Sequence, residues 1–154
     1  MSEPQGIQEK PPVPANEEIP SEELAYRLRQ QRLAADFGYY ALKSVDLREL
    51  LQEATRATAD GLNVKFAKVL EHRVDTKGFL AVAGVGWREG LIGVATVGDD
   101  LESPAGYAYH TGQSVISNHL ENERRFRTPQ MLIEHGIKRA MNVIIRTEDT
   151  RFGI

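Results

Sequence analysis

The 154-residue sequence contains no cysteine. It therefore has no disulfide, thiol nucleophile, zinc–thiolate site or cysteine-linked chromophore. It also lacks a run of 18 apolar residues, and its polar start, MSEPQGIQEK, lacks the apolar core of a signal peptide. These absences favour a cytoplasmic protein with no membrane partner.

A broad excess of positive charge is missing as well. Residues 1–20 carry four glutamates against Lys10, a net charge of −3, and the whole chain is also −3. The remaining residues balance at 18 basic and 18 acidic side chains. A nucleic-acid partner is not expected, because such binding needs an extended basic surface.

Five of the seven prolines lie in residues 1–20, where apolar side chains are few. This composition predicts a disordered leader. A helix is expected from Ser21, the predicted cap, to about Lys43, with an apolar face of Leu33, Phe37 and Tyr40. We expect this helix (21–44) to pair with a second copy as a signalling and dimerisation helix.

A second helix is expected after Asp46 and Glu49, which match a capping box. Its apolar side is formed by Leu47, Leu50, Leu51, Ala54, Thr58 and Leu62. Asp60–Gly61 is predicted to end it, because glycine suits a left-handed cap.

The pattern then becomes strand-like. VKFAKVLEHRV (64–74) and FLAVAGVGW (79–87), separated by DTKG, predict a β-hairpin. Short helices are expected from Ser103–Pro104 to His110 and over 129–135, each opened by a proline. Val115–Ile116, AMNVIIR (140–146) and RFGI (151–154) complete the strands. Without a βαβ rhythm, the class is α+β with an antiparallel sheet.

Several segments, in order and spacing, resemble a GAF domain over about residues 45–154. They are LLQEATRATADGL, AGVGW, SPAGYAYHTGQSVISNHLENERRFRTPQMLIEHGIKRAMNVII and FGI. The closest resemblance is to the GAF sensor ahead of the catalytic core in soluble bacterial histidine kinases. It implies a central sheet with helices on one face and, on the other, an irregular lid over a small-molecule pocket.

Two departures from the family pattern stand out. The sequence stops inside the expected last strand, so the domain (45–154) is predicted to be truncated there and less stable than with that strand complete. The C-terminal output domain of a kinase is also absent, since no phosphoacceptor helix or ATP-binding glycine boxes are visible. We therefore expect no enzymatic activity from this chain.

The stretch around Arg124, Arg125 and Arg127 has two interpretations. The guanidinium groups could bind an anionic ligand. The favoured alternative is that they pair with Glu121, Glu123 or Glu134 and hold the lid closed while Phe126 anchors it.

The family position and the side-chain chemistry indicate a ligand pocket for an unknown small-molecule effector. We expect it to be bordered by Trp87, Tyr107, His119, Phe126 and Asn142. Aromatic rings can stack on a flat ligand or simply fill the core, and Asn142 needs a polar partner or solvent.

No cofactor is predicted. Haem, through His110 or His119, is disfavoured because lone histidines are common, and a covalent bilin is excluded without cysteine. Two functions stay open: a ligand-sensing regulatory domain, and a ligand-free scaffold that acts by homodimerisation. The methionine sulfoxide reductase branch of the family needs cysteines.

Overall fold

The computed structural model describes residues 20–154. Apart from Pro20, the predicted leader lies outside these residues. The elements are α1 (Ser21–Lys43), α2 (Leu47–Leu62), β1 (Ala67–Arg73), β2 (Gly78–Val85), β3 (Thr96–Gly98), α3 (Pro104–Thr111), β4 (Val115–Ser117), a 3₁₀ turn (Leu120–Asn122), α4 (Gln130–Glu134), β5 (Ala140–Asn142), β6 (Ile145–Arg146) and β7 (Arg151–Gly153). None of the helices among these residues has the length and apolarity to cross a bilayer.

The first helix begins as predicted but with a different cap. Pro20 occupies the N-cap position and Ser21 is already helical, so the predicted serine cap is wrong. Leu33 and Phe37 are half-buried, and α1 packs along α2. Two members of the predicted dimer face therefore lie in a contact within the chain, while Tyr40 is more exposed.

The second helix confirms the predicted Asp46 cap, whose carboxylate accepts hydrogen bonds from the backbone N–H groups of Arg48 and Glu49. Its predicted end is wrong. Gly61 is helical, and Asn63 takes the left-handed cap conformation with φ 51°. Asparagine tolerates this conformation better than most residues, which explains why the helix extends past the glycine.

An antiparallel five-stranded sheet, in the order β3-β2-β1-β7-β6, forms the centre of the fold. The predicted β1–β2 hairpin is confirmed, with a bulge opposite Val69/Leu70. The α+β class with an antiparallel sheet is therefore confirmed. Next to the bulge, the amide of Gln52 on α2 donates to Gly84 O (3.1 Å) and accepts from Gly84 N (3.3 Å), which fastens α2 to β2.

The prediction of one strand over 140–146 is wrong. Residues Ala140–Asn142 pair with β4 in a separate two-stranded sheet, and Ile145–Arg146 pair with β7 in the main sheet. The change of partner breaks the strand at Val143–Ile144. The sequence did not reveal this break because the apolar run is continuous. Hydrophobic periodicity does not depend on which strand is the pairing partner.

Residues 99–139, here called the lid, carry α3, β4, the 3₁₀ turn and α4. Ser103 caps α3 and Gly112 ends it with φ 73°, both as predicted. The fourth helix starts after Pro129, and the hydroxyl of Thr128 donates to Leu120 O instead of capping it. One core cluster joins sheet and lid and contains Leu70, Phe79, Ala81, Val97, Ala105, Ala108, Val115, Leu120, Met131, Leu132 and Ile154.

The strand β7 lies inside the sheet, between β1 and β6. Leu70 and Ile154 exchange both backbone hydrogen bonds, at 2.7 and 2.9 Å. Gly153 is required here, because a Cβ at this position would come within 1.8 Å of Leu70 O.

Candidate ligand site

A large opening, here called the edge cavity, lies between β1 and β6 and is bordered by Ile154. Its volume is about 1020 Å³, slightly above the usual range of small-molecule sites. Residues 64–70 form one wall, and most of residues 137–147 form the opposite wall. The apolar side of α2 predicted from the sequence, from Leu47 to Leu62, closes it together with Phe37 of α1.

Aromatic rings line one end of the edge cavity. Phe66 and Trp87 both border it, with ring centroids 5.1 Å apart, and His135 packs against each of them. The Trp87 indole N–H donates to Ala67 O at 2.8 Å, which fixes the orientation of the ring. Gly84 leaves room for it, since a Cβ there would come within 2.8 Å of the indole.

Two hydrogen bonds fix the orientation of the His135 ring. Its Nε2 accepts a hydrogen bond from the backbone N–H of Arg88 at 3.1 Å, so Nδ1 carries the proton and donates to Met131 O at 2.7 Å. His135 is the C-cap residue of α4, a position that suits an imidazole. The ring therefore acts as a fixed part of the wall behind Trp87.

Two lysines lie at this aromatic end: the Lys65 ammonium is 5.2 Å from the Phe66 ring centroid, and the other is Lys68. Its ammonium lies 4.9 Å from the Trp87 ring centroid, a cation–π distance. The side chain is half-buried, and its burial lowers the pKa of Lys68 from 10.5 to about 8. Within residues 20–154, no carboxylate forms an ion pair with it, and its ammonium is not among the buried polar groups without a partner, so the ammonium is accessible from the cavity.

The structure brings together two of the five residues predicted for the pocket. Trp87 and Asn142 both border the edge cavity. Asn142 is half-buried on β5, opposite Val115. Both side chains are therefore available to a molecule in this space.

The other three predicted residues do not border the cavity. The rings of Tyr107 and Phe126 pack on each other at 5.3 Å and against the core, outside the lining of the cavity. Their positions differ from the prediction because Ala105 and Ala108 are the α3 residues buried against the sheet. His119 is exposed in the turn before Leu120.

The histidines considered for haem also lie outside the edge cavity. His110 is exposed, and its Nε2 donates to Asp99 O at 2.9 Å. His72 is paired with the Asp99 carboxylate at 2.9 Å and stacks on Tyr109. Within the described part of the chain, no three histidine or acidic side chains are grouped to hold a metal ion.

Two arginines of this stretch pair with acids inside the lid, but among the described residues only the Arg125–Glu123 pair matches the favoured interpretation. Arg125 pairs with Glu123 at 2.7 Å and also donates to Ile116 O. This guanidinium, with the Ser117 hydroxyl, lowers the pKa of Glu123 to about 2. Arg127 pairs instead with Asp100 and Glu102, acids that lie on the β3–α3 connection.

Lys68 and Phe66 were not among the predicted site residues. The signal that could have found them is strand alternation, because residues two apart share a face of a β-strand. Phe66 and Lys68 therefore continue the face of Leu70, which is buried in the core beneath the lid. A lysine in line with the buried face of a strand is expected to have a polar or charged partner.

Comparisons with known proteins agree on the fold. The chain has a TM-score of 0.69 with the crystal structure of the A. aeolicus nlh2 GAF domain in an inactive state, at 11% identity, covering 83% of this chain and 77% of that one. The GAF domain of an Acinetobacter phosphoenolpyruvate-protein phosphotransferase gives 0.62 at 15% identity, covering 84% and 73%. The free methionine-R-sulfoxide reductase of Neisseria meningitidis, solved with its substrate, gives 0.62 at 9% identity, covering 88% and 73%.

At such identities these likenesses establish the fold alone. No curated protein sequence matches the chain significantly. The sequence profile of the GAF domain matches residues 46–154, which is more than half of the chain and includes α2, the whole sheet and the lid. The chain therefore belongs to the GAF domain family, whose members are sensory and regulatory modules.

Proposed function

We propose that this chain is a regulatory input module that binds a small molecule in the edge cavity and transmits occupancy through α1. One observation carries the proposal: Phe37 of the long helix lines the same cavity as Trp87 and Asn142. A ligand in this space would contact the sheet, the lid and the helix together. Binding would then favour one position of α1 over another.

The proposed coupling has a simple energetic requirement. A ligand shifts a two-state equilibrium only by the difference between its affinities for the two states. A tenfold difference corresponds to about 1.4 kcal/mol. Contacts to α1 satisfy this requirement because α1 packs along α2 and has no buried residue of its own, so its position can change without opening the core.

The parent protein is proposed to be a cytoplasmic two-component histidine kinase. This assignment rests on the long segment from Ser103 to Ile145, which resembles the input domains of such kinases. The effector is proposed to bind without a covalent bond and without haem. Catalysis is assigned to an output domain and not to these residues.

A ligand screen tests the proposal. Purified protein is heated with a panel of nucleotides and metabolites, and unfolding is followed by intrinsic fluorescence. A true ligand at 100 times its dissociation constant stabilises the fold by about 2.7 kcal/mol, which raises the melting temperature by several degrees.

Each hit is then repeated on Asn142→Leu, which removes a cavity amide, and on Asn122→Leu, which removes an amide outside the cavity. The first variant should weaken binding and the second should not. A hit that is indifferent to Asn142→Leu argues against this cavity. A panel without any hit that also leaves apolar probe dyes unbound argues against ligand sensing.

A second candidate function, a ligand-free dimerisation scaffold, is favoured by the exposed side of α1. Leu24, Leu28 and Leu42 are 47, 61 and 88% exposed. Steps of four and fourteen residues place all three on one stripe of the helix, given 100° per residue. Such a stripe suits parallel pairing with a second copy.

Light scattering measures this pairing directly. The wild type is expected to have twice the protomer mass. Leu28→Glu should halve that mass because it places a charge in the contact between the two paired helices. The control, Arg29→Glu, changes the adjacent position, which a 100° step places off the stripe. If the wild type is still monomeric when the protein concentration is raised 100-fold, the dimer hypothesis is wrong.

A further inference from the structure

The end of α4 is fastened to the β2–β3 connection, residues 86–95. Between these two segments, the described residues form only two polar contacts. The backbone N–H of Arg88 donates to His135 Nε2 at 3.1 Å, and the Arg88 guanidinium donates to the Glu134 carboxylate at 3.5 Å. These two contacts are here called the latch. The latch holds the last helix of the lid against the connection, and none of its three residues lines the edge cavity.

Both ring nitrogens of His135 take part in hydrogen bonds. Nδ1 donates to Met131 O at 2.7 Å, one turn earlier in the chain, and Nε2 accepts from the Arg88 backbone. An imidazole that donates at one nitrogen and accepts at the other carries a single proton. A second proton can bind only at Nε2, where it would place two donors face to face. Protonation of the ring therefore breaks its contact with Arg88.

The charges near the ring offer a second positive group little compensation. The charged side chains on the segments that contact His135 are Lys65, Lys68, Arg88, Glu89 and Glu134. Three of these five are cations. Glu89 is exposed, and the Glu134 carboxylate already accepts from the Arg88 guanidinium and from the Gln130 amide at 3.2 Å. An imidazolium would therefore have to compete for its nearest carboxylate.

The aromatic neighbours of His135 do not supply the compensation either. Phe66 and Trp87 lie at ring-centroid distances of 5.6 and 5.1 Å from the imidazole. A cation beside an aromatic ring is attracted by the electrons of the ring face. Here the Lys65 ammonium already lies 5.2 Å from the Phe66 centroid, and the Lys68 ammonium 4.9 Å from the Trp87 centroid. A third cation at this place adds repulsion between like charges.

From this geometry we infer that the latch is a pH-sensitive device: acid protonates His135 at Nε2 and releases the end of α4 from the β2–β3 connection. Histidine ordinarily changes its charge between pH 5 and pH 8. The fastened arrangement takes up the proton only by losing a hydrogen bond, whereas the released one loses none, so a fall in pH favours release. The inference concerns the regulation of the lid and is independent of ligand binding in the edge cavity.

Two-dimensional NMR of the nitrogen-labelled protein, between pH 7.5 and pH 5, tests the inference. The ring signals of His135 report its protonation, and the amide signal of Arg88 reports the latch. Hydrogen exchange, expressed as protection factors so that the pH dependence of the exchange chemistry cancels, reports the end of α4. His135→Gln is the variant that cannot titrate, because a glutamine oxygen accepts a hydrogen bond but binds no proton in this range. His119→Gln is the matched control at an exposed histidine of the lid.

In wild type and His119→Gln, the Arg88 amide signal should move to lower frequency along the same titration curve as the His135 ring, because the amide loses its acceptor. The amides of Gly136 and Ile137 close the end of α4 through Ile133 O and Leu132 O. Their protection factors should fall about fivefold from pH 7.5 to pH 5, which is the effect of losing one hydrogen bond. His135→Gln should show neither change.

Three results would overturn the inference. The His135 ring takes up a proton above pH 5 while the Arg88 amide and the protection of α4 stay constant, or the ring takes up no proton above pH 5. In the third, the loss of protection persists in His135→Gln, which would assign it to another group such as His72, paired with Asp99. If His135→Gln does not fold, the ring and amide titration curves of wild type decide, since the inference requires them to coincide.

Discussion

Replacing Gly106 with alanine is expected to lower the free energy of unfolding by about 3 kcal/mol or more. A Cβ at this position would lie 2.2 Å from Asp100 O and 2.5 Å from the carbonyl carbon of Asp99. These are backbone atoms, so no side-chain rotation can relieve the overlap. The first turn of α3 would have to move away from the β3–α3 connection.

That connection is held from several directions, which makes the movement costly. The Asp99 carboxylate pairs with His72, and the backbone oxygen of Asp99 is hydrogen-bonded to His110. The Asp100 carboxylate pairs with Arg127. Ser103 is bonded to Asp100 through its backbone N–H at 3.0 Å. Shifting α3 therefore strains the contacts of the whole connection.

Gly61→Ala is the matched control, because it makes the same chemical change in another helix. Gly61 is helical, and an added Cβ would meet only Leu33 Cδ1 at 3.8 Å, an ordinary contact. The variant should gain about 0.5–1 kcal/mol from the reduced freedom of the unfolded chain. Urea titrations of both variants and wild type give the comparison. Equal stability of Gly106→Ala and wild type would show that α3 packs less tightly than described.

The sequence predicted those parts of the fold that depend on local chemistry. The Asp46 cap, the β1–β2 hairpin and the Ser103 start of α3 follow from hydrogen bonds within a few residues. The Gly61 prediction failed for a related reason. Two residues near each other could end α2, and Asn63 does so with its own left-handed conformation.

Prediction of the site depended on information that local patterns do not carry. Which side of α3 meets the sheet decides whether Tyr107 lies in the pocket, and the small residues Ala105 and Ala108 take that place. The space beside β1 depends on how β7 pairs, a contact between residues about 80 positions apart in the chain. Trp87 and Asn142 border this space, and their role in ligand binding stays a prediction.

Lys68→Met is expected to raise the free energy of unfolding at pH 7 by about 2 kcal/mol. The pKa of Lys68 falls from 10.5 to about 8 on burial, so at pH 7 the folded protein carries a charge in an unfavourable place. This difference in pKa between the unfolded and folded chain corresponds to about 3 kcal/mol in the free energy of unfolding, at about 1.4 kcal/mol per pKa unit. The expected gain is smaller, because the half-buried side chain opens onto the cavity.

The pH dependence identifies the cause. Between pH 8 and 10.5 the unfolded chain binds the lysine proton and the folded chain has released it, so the stability of wild type should rise with pH in this window. Lys68→Met should lack that rise, and the two proteins should converge near pH 10.5. Urea titrations at pH 7, 8.5 and 10 measure this, with Lys138→Met as the control for lost positive charge.

A higher stability of Lys68→Met at pH 7 that disappears at pH 10 would show that the folded chain holds the Lys68 ammonium in a less favourable environment than water does. If Lys68→Met instead lowers stability at pH 7, the ammonium already has a favourable environment in the folded chain.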